Sequence, residues 1–414
     1  MKRAFASLLV AFLLVRPAFA SPALERLSSL AGTDSAAVPA AVLPPAPLFP
    51  EDGSVPMRAW YTSFAGGHPS PLLRSALEKE GVELREIGFS YDWIQDIALF
   101  GSDGSLVLQA EVPGDILEGL GLTMGVLSTE DGFPRLTALS AEDAESLGVP
   151  YRRMEWTFLE GGGLISGTIP DGSPYAIVTR SPVEGAARLY QRRKGRAISE
   201  AEARDLVARD LRVPGENLFV ADASGHLDLV VTPLPGGVIV LSDPSATPAA
   251  LREILAAGPP PGEKPRLESM LELYEKGWQP LYSANAPASI AGKPMGPRRH
   301  PYDKYDLRKA DNIAAAVEGR LRVVRAPGVF KELETYANSS DSFYIADRIN
   351  FFNGFTGMNA RGEVFQMTNS TRGLASLENY WAALLGKHGA GRVHFPGSYG
   401  HGAGLDCRGA PSGR

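Results

Sequence analysis

Four side chains in this sequence could do chemistry together: Cys407, His226, Asp228 and Asp96. Cys407 is the only cysteine in 414 residues and lies in SYGHGAGLDCRGAP, between Asp406 and Arg408. Gly400, Gly402, Gly404 and Gly409 surround it, so the stretch reads as a loop for close backbone approach. A lone thiol there reads as reactive; the plainer alternative is a small apolar filler. In GHLDLVVTPL, His226 and Asp228 alternate with Leu227 and Leu229, which on a strand puts imidazole and carboxylate on one face. In WIQDIALF, Asp96 stands among Trp93, Ile94, Ile97, Leu99 and Phe100. Carboxylates in such surroundings are costly unless something pairs with them.

A thiolate is a nucleophile, and a nearby histidine can hold its proton or later protonate a leaving group. Paired carboxylates do not suit an amide hydrolase, which must stabilise developing negative charge. They suit a flat cation with several donors, such as a guanidinium gripped from two sides with its central carbon turned toward sulfur.

The elements that must position these residues alternate between short strands and helices. LRSALEKEGV (73–82) reads as a helix, and 93–112 as two strands around a Ser-Asp-Gly turn. A hairpin is expected at 166–179, turned at Asp171-Gly172, and another where Pro235-Gly236-Gly237 joins HLDLVVTPL to GVIVLSDP. Ser199-Glu200-Ala201-Glu202 predicts a capping box opening a helix. Further on come a helix around LESMLELYEKG, a hairpin over 347–368, a helix near LASLENYWAALLGKHG and a strand near RVHFP. HPYDKYDLRKADN (300–312) reads as a solvated loop. This order predicts an α/β chain with many hairpins, with no internal sequence repeat and no dinucleotide-binding glycine motif.

At the residues named above the chain resembles the guanidino-group-modifying (pentein) enzymes, in particular the peptidylarginine and agmatine deiminases. W-I-Q-D at 93–96 is similar to the Trp-x-x-Asp segment of the peptidylarginine deiminases, whereas agmatine deiminases usually carry Arg where Gln95 stands. E-G-G-G at 160–163 resembles a Glu-Gly-Gly segment, G-H-L-D at 225–228 a Gly-His-x-Asp motif, and G-A-G-L-D-C at 402–407 the terminal cysteine loop. The resemblance runs in order over about residues 57–411 and implies a five-bladed α/β propeller of ββαβ modules. It implies Cys407 as nucleophile, His226 as general acid and base, and Asp96 and Asp228 as guanidinium ligands. Trp93 would line the slot for the aliphatic stem, and Glu160 would be a further substrate-site carboxylate. Asp406 departs from the family, where His commonly precedes the nucleophile. A carboxylate beside Cys407 raises its pKa, which bears on rate and pH optimum.

The opening MKRAFASLLVAFLLVRPAFA has a basic start, a short apolar run and an Ala18-Phe19-Ala20 cleavage box, so a signal peptide is expected over 1–20. An Ala/Pro-rich linker follows over 21–56, then a single deiminase domain over 57–414. Localisation is expected to be secreted or periplasmic, without membrane insertion. A net charge of −6 lacks the basic stripe that nucleic acid requires. No cofactor or metal is expected; calcium is left open, without EF-hand spacing to support it. Export and Gln95 favour arginine-containing peptides or proteins as partners, deiminated to citrulline. Small guanidines, agmatine or free arginine, are the alternative, as is a guanidinium-binding module without catalysis.

Overall fold

A computed structural model describes residues 46–63, 71–87, 94–120, 126–128, 134–136, 139–159, 161–223, 225–284, 286–301, 304–335, 343–397 and 409–413. The architecture is mixed α/β, and one connectivity recurs: an antiparallel strand pair, a helical crossover, then a third strand added in parallel. After β1 (Asp52–Pro56), β2 (Ala59–Ser63) is followed by helix Pro71–Glu80 and by β3 (Glu83–Ile87), which pairs in parallel with β2. β4 (Leu99–Phe100) and β5 (Leu106–Leu108) form a hairpin. The small hairpin of β6 (Val126–Ser128) and β7 (Pro134–Leu136) lies in the crossover, and β8 (Tyr151–Arg153) then joins β5 in parallel.

The next unit is β9 (Leu164–Thr168) antiparallel to β10 (Pro174–Val178), with β11 (Leu218–Val220) parallel to β10. β12 (Val231–Leu234) and β13 (Val238–Ser242) repeat the pattern with β14 (Arg322–Ala326). β15 (Val329–Thr335) and β16 (Phe343–Asn350) make a separate long hairpin. β17 (Phe355–Met358), β18 (Val364–Asn369) and β19 (Arg392–Gly397) form another unit, to which β1 adds beside β17. Finally β20 (Gly409–Ser412) runs antiparallel to β2 and completes the first unit. Strands about 350 residues apart in sequence therefore share one sheet.

Local chemistry explains much of this. Ser199 caps helix Glu200–Leu211 through the expected box, its hydroxyl accepting from Glu202 N while the Glu202 carboxylate accepts from Ser199 N. The β12–β13 turn places Gly236 and Gly237 at φ +73° and +70°, the left-handed region that suits glycine. β13 is buried along its whole length, as a strand between two neighbours should be.

Four expectations need correction. Residues 300–312 are not simply a loop, because helix Lys304–Ala316 occupies most of them. Ala310, Ile313 and Val317 are fully buried at helical spacing, a stripe masked by the charges around it. The segment carrying Asp96 is the helical turn Ile94–Ile97, and only Leu99–Phe100 is strand. His226–Asp228 precede β12 in a turn, so strand alternation is not what aligns them. The linker ends earlier than expected: Leu48 and Phe49 are buried and β1 starts at Asp52. The expected signal peptide lies outside the described residues. Among those described, no helix is long and apolar enough to cross a membrane.

One carboxylate holds the approach to the glycine turn at 161–163. Asp210, near the end of helix Glu200–Leu211, accepts from the backbone N–H groups of Glu155, Trp156 and Thr157 at 3.1, 2.7 and 2.8 Å. Asp210→Ala would leave these donors in a largely buried place, at about 1–3 kcal/mol for each group that stays unsatisfied. We expect urea unfolding of this variant to show a loss of about 3 kcal/mol or more; a loss under about 1 kcal/mol would contradict this account.

Candidate active site

His226 and Asp228 come together despite the absence of a strand. His226 Nδ1 lies 3.4 Å from Asp228 Oδ1, with the Asp228 side chain at 0% exposure and that of His226 at 16%. The turn is held from below by Gly162, whose carbonyl accepts from Leu227 N at 2.5 Å and Asp228 N at 3.4 Å. A Cβ on Gly162 would collide with His226 Nδ1, so only glycine allows the ring this close. From the other side, the buried Lys309 of helix Lys304–Ala316 donates from Nζ to the His226 carbonyl at 2.8 Å. The imidazole keeps a little access to solvent while its carboxylate neighbour has none. That asymmetry suits a ring that exchanges protons beside a fixed negative group.

Gly161 makes the second close approach. A Cβ there would collide with the backbone carbonyl of Gln95, so the glycine turn packs directly on helix Ile94–Ile97. Asp96 is the next residue of that helix; its side chain lies outside those described. Gln95 is 3% exposed and donates from Nε2 to Glu51 Oε1 at 3.2 Å. Glu51 Oε2 accepts from Ser166 N at 3.2 Å, and Glu51 N donates to Ser166 O at 3.0 Å. Glu51, Gln95, Ala98, Ser166, Ala410 and Pro411 help line a cavity of about 20 Å³. Burial pushes the Glu51 carboxyl up to about 8; the Ser166 N–H opposes this, and the charges of Asp228 and Asp52 add to it.

Cys407, Trp93 and Glu160 lie outside the described residues, as do Asp406, His401 and Arg408. Their described neighbours converge nonetheless. Ile94 follows Trp93 and Gly161 follows Glu160, and the two segments are in contact through Gln95. Gly409, two residues beyond Cys407, opens β20 against β2, where a side chain would collide with the Trp60 indole. Ala410 and Pro411 then meet Gln95 and Glu51 around the small cavity. All four sequence motifs thus have described flanks in one neighbourhood.

Glu51 is the member that sequence reasoning missed, because it lay in the presumed linker. The signal was the acidic pair Glu51-Asp52 closing an otherwise Ala/Pro-rich tract directly after Leu48-Phe49. Asp52 is fully buried, accepting from Ser54 N, Thr168 N and Thr168 Oγ1.

No family model and no curated protein matches the chain. Among solved structures, an agmatine deiminase of Enterococcus faecalis is similar over 88% of this chain and 96% of its own, with 12% identity and TM-score 0.45. The C. jejuni agmatine deiminase is similar over 88% and 95%, with 8% identity and TM-score 0.43. A cyanobacterial arginine dihydrolase is similar over 85% of this chain and 39% of its own, with 11% identity and TM-score 0.30. These neighbours are pentein-superfamily proteins. At such identities and TM-scores the likeness carries nothing about substrate or the roles of single residues.

The Glu51 carboxyl has a consequence for stability. In the folded chain it keeps its proton to about pH 8, against an ordinary value of 4.5. Between those values the unfolded chain binds fewer protons than the folded one, so stability falls as pH rises and the loss is complete above about 8. Glu51→Gln removes the titrating group. Its unfolding free energy is expected to decline less between pH 5 and pH 8.5 (about neutral carboxyl to ionised carboxyl) than that of the unaltered chain. Parallel pH profiles for the two proteins would refute the assignment.

Proposed function

We propose that this chain is a hydrolase of guanidino groups, a deiminase whose site is built from Cys407, His226, Asp228 and Asp96. The observation that carries this reading is the fully buried Asp228 carboxylate 3.4 Å from a partly accessible His226, seated on a glycine with no room for a side chain. A preformed negative charge in a dry site favours a cationic substrate over one that develops an oxyanion. Packing of the Asp96 helix against the same glycine turn supports a second carboxylate on the same cation.

The chemistry follows from those placements. Asp228 and Asp96 hold guanidinium nitrogens, and Trp93 and Glu160 stand at the substrate's flanks. The Cys407 thiolate adds to the guanidinium carbon, and the C–N bond breaks as His226 protonates the leaving ammonia. The resulting thiouronium is attacked by water that gives its proton to His226. The C–S bond then breaks, releasing the ureido product and restoring the thiolate. We also propose that the five sheets of common connectivity close around this site as a five-bladed propeller, with residues 1–20 directing export. Neither metal nor cofactor enters the steps.

Small guanidines, agmatine or free arginine, are the first choice of substrate. One ground for peptidyl-arginine was Gln95, but its side chain is buried and tied to Glu51, so it reports internal packing rather than peptide recognition. Export remains the ground for peptidyl-arginine as the second reading.

The test is ureido product formed from agmatine, free arginine and a blocked arginyl peptide, assayed side by side. We expect turnover of a small guanidine, abolished in Cys407→Ser and lowered at least about a hundredfold in His226→Ala, the usual scale for lost general acid–base catalysis. Gly162→Ala should reduce kcat by a similar factor while leaving the circular dichroism spectrum intact, because its methyl group displaces the ring. Ligand binding without turnover in any form would leave only the binding-module reading. Turnover of the peptide alone would reverse the order of substrates.

A further inference from the structure

Glu51 takes no part in the steps above, yet its carboxyl joins two of the segments that build the site. We propose that Glu51 is a positioning residue for the guanidine site, fixing through Gln95 the helical turn that carries Asp96; this rests on the deiminase reading.

The geometry is that of a tie between non-adjacent segments. One carboxyl oxygen accepts from Gln95 Nε2 at 3.2 Å, on helix Ile94–Ile97. The other accepts from Ser166 N at 3.2 Å, on β9, which leaves the Gly161–Gly163 turn beneath His226. Glu51 N and Ser166 O close the same contact at 3.0 Å, and Ser166 Oγ donates to Phe49 O at 2.8 Å. The segment 49–51 is therefore clamped to β9, and the Glu51 side chain reaches from that clamp to Gln95. A four-residue helical turn has too few internal hydrogen bonds to hold its own orientation, so an external anchor decides where its third residue, Asp96, sits.

The anchor is also electrostatically linked to the site. Among the described residues, the ionisable groups that act on or respond to Glu51 are Asp228 from the turn before β12, Asp52 from its own segment and Tyr175 from β10. A neutral Glu51 leaves Asp228 as the buried carboxyl group available to a cation. Once Glu51 ionises, near pH 8, a second negative charge stands in the same region, and the pull on a guanidinium changes. A bland structural tie would not put that step into substrate binding.

The experiment measures kcat and KM for agmatine and for free arginine from pH 6 to pH 9.5 with the full chain, Glu51→Ala and Glu51→Gln; the window brackets a group titrating about pH 8. For Glu51→Ala we expect KM to rise about tenfold or more at pH 7, the size of one lost positioning contact of about 1.4 kcal/mol. Glu51→Gln keeps the amide oxygen as an acceptor for Gln95 and should bring KM back within about threefold. Its KM profile should lack the inflection near pH 8 that we expect of the unaltered chain. If Glu51→Ala fails to fold, the Gln variant and its missing inflection carry the test alone. An unaltered chain that turns over substrate, with both variants matching it in KM and retaining the inflection, overturns the Glu51 assignment and leaves the deiminase reading standing. An unaltered chain that neither turns over nor binds either guanidine overturns both.

Discussion

Buried negative charge is the constraint on which this structure depends. A carboxylate removed from water is tolerated only where donors or cations replace its hydration. Three buried carboxyls meet that demand by binding the fold together. Asp210 gathers three backbone N–H groups of one loop. Asp52 joins β1 to β9 through Thr168. Glu80 accepts from Asn359 Nδ2, from Arg392 and at 2.6 Å faces His394 Nε2, tying helix Pro71–Glu80 to β19 and to the turn after β17. Glu51 and Asp228 belong to the same electrostatic economy, but they face an imidazole, an amide and each other's field.

Glycine supplies the geometry that charge alone could not. Gly161 and Gly162 bring two other segments to contact distance, one against Gln95 and one against His226. Any side chain at either position would push those segments apart. Neither needs a left-handed backbone, so their value here is absent volume rather than conformational freedom. The E-G-G-G motif is thus a spacer of zero thickness between the two carboxylate-bearing segments.

The repeated connectivity of the sheets had no counterpart in sequence similarity. Each unit uses different residues to make an antiparallel pair and a parallel third strand, as the buried Val-Ile-Val-Leu of β13 and the mixed Ala-Trp-Tyr-Thr of β2 illustrate. Any sufficiently apolar, β-branched or aromatic run satisfies the same backbone pattern. Helix Lys304–Ala316 was hidden for a related reason: its buried stripe of Ala310, Ile313 and Val317 lies among six charged residues of its own first half and flanks, and charge density reads as loop.

What the sequence determined by itself was the inventory and the punctuation. The hairpins at 166–179 and 231–242 and the capping box at Ser199 were legible, because each depends on neighbours a few residues apart. Tertiary structure alone decided that 94–97 is a helical turn, that His226 and Asp228 meet across a turn, and that Glu51 stands beside Gln95. Segments of three or four residues carry too little local free energy to choose their own conformation. Contacts with chain far away in sequence chose for them.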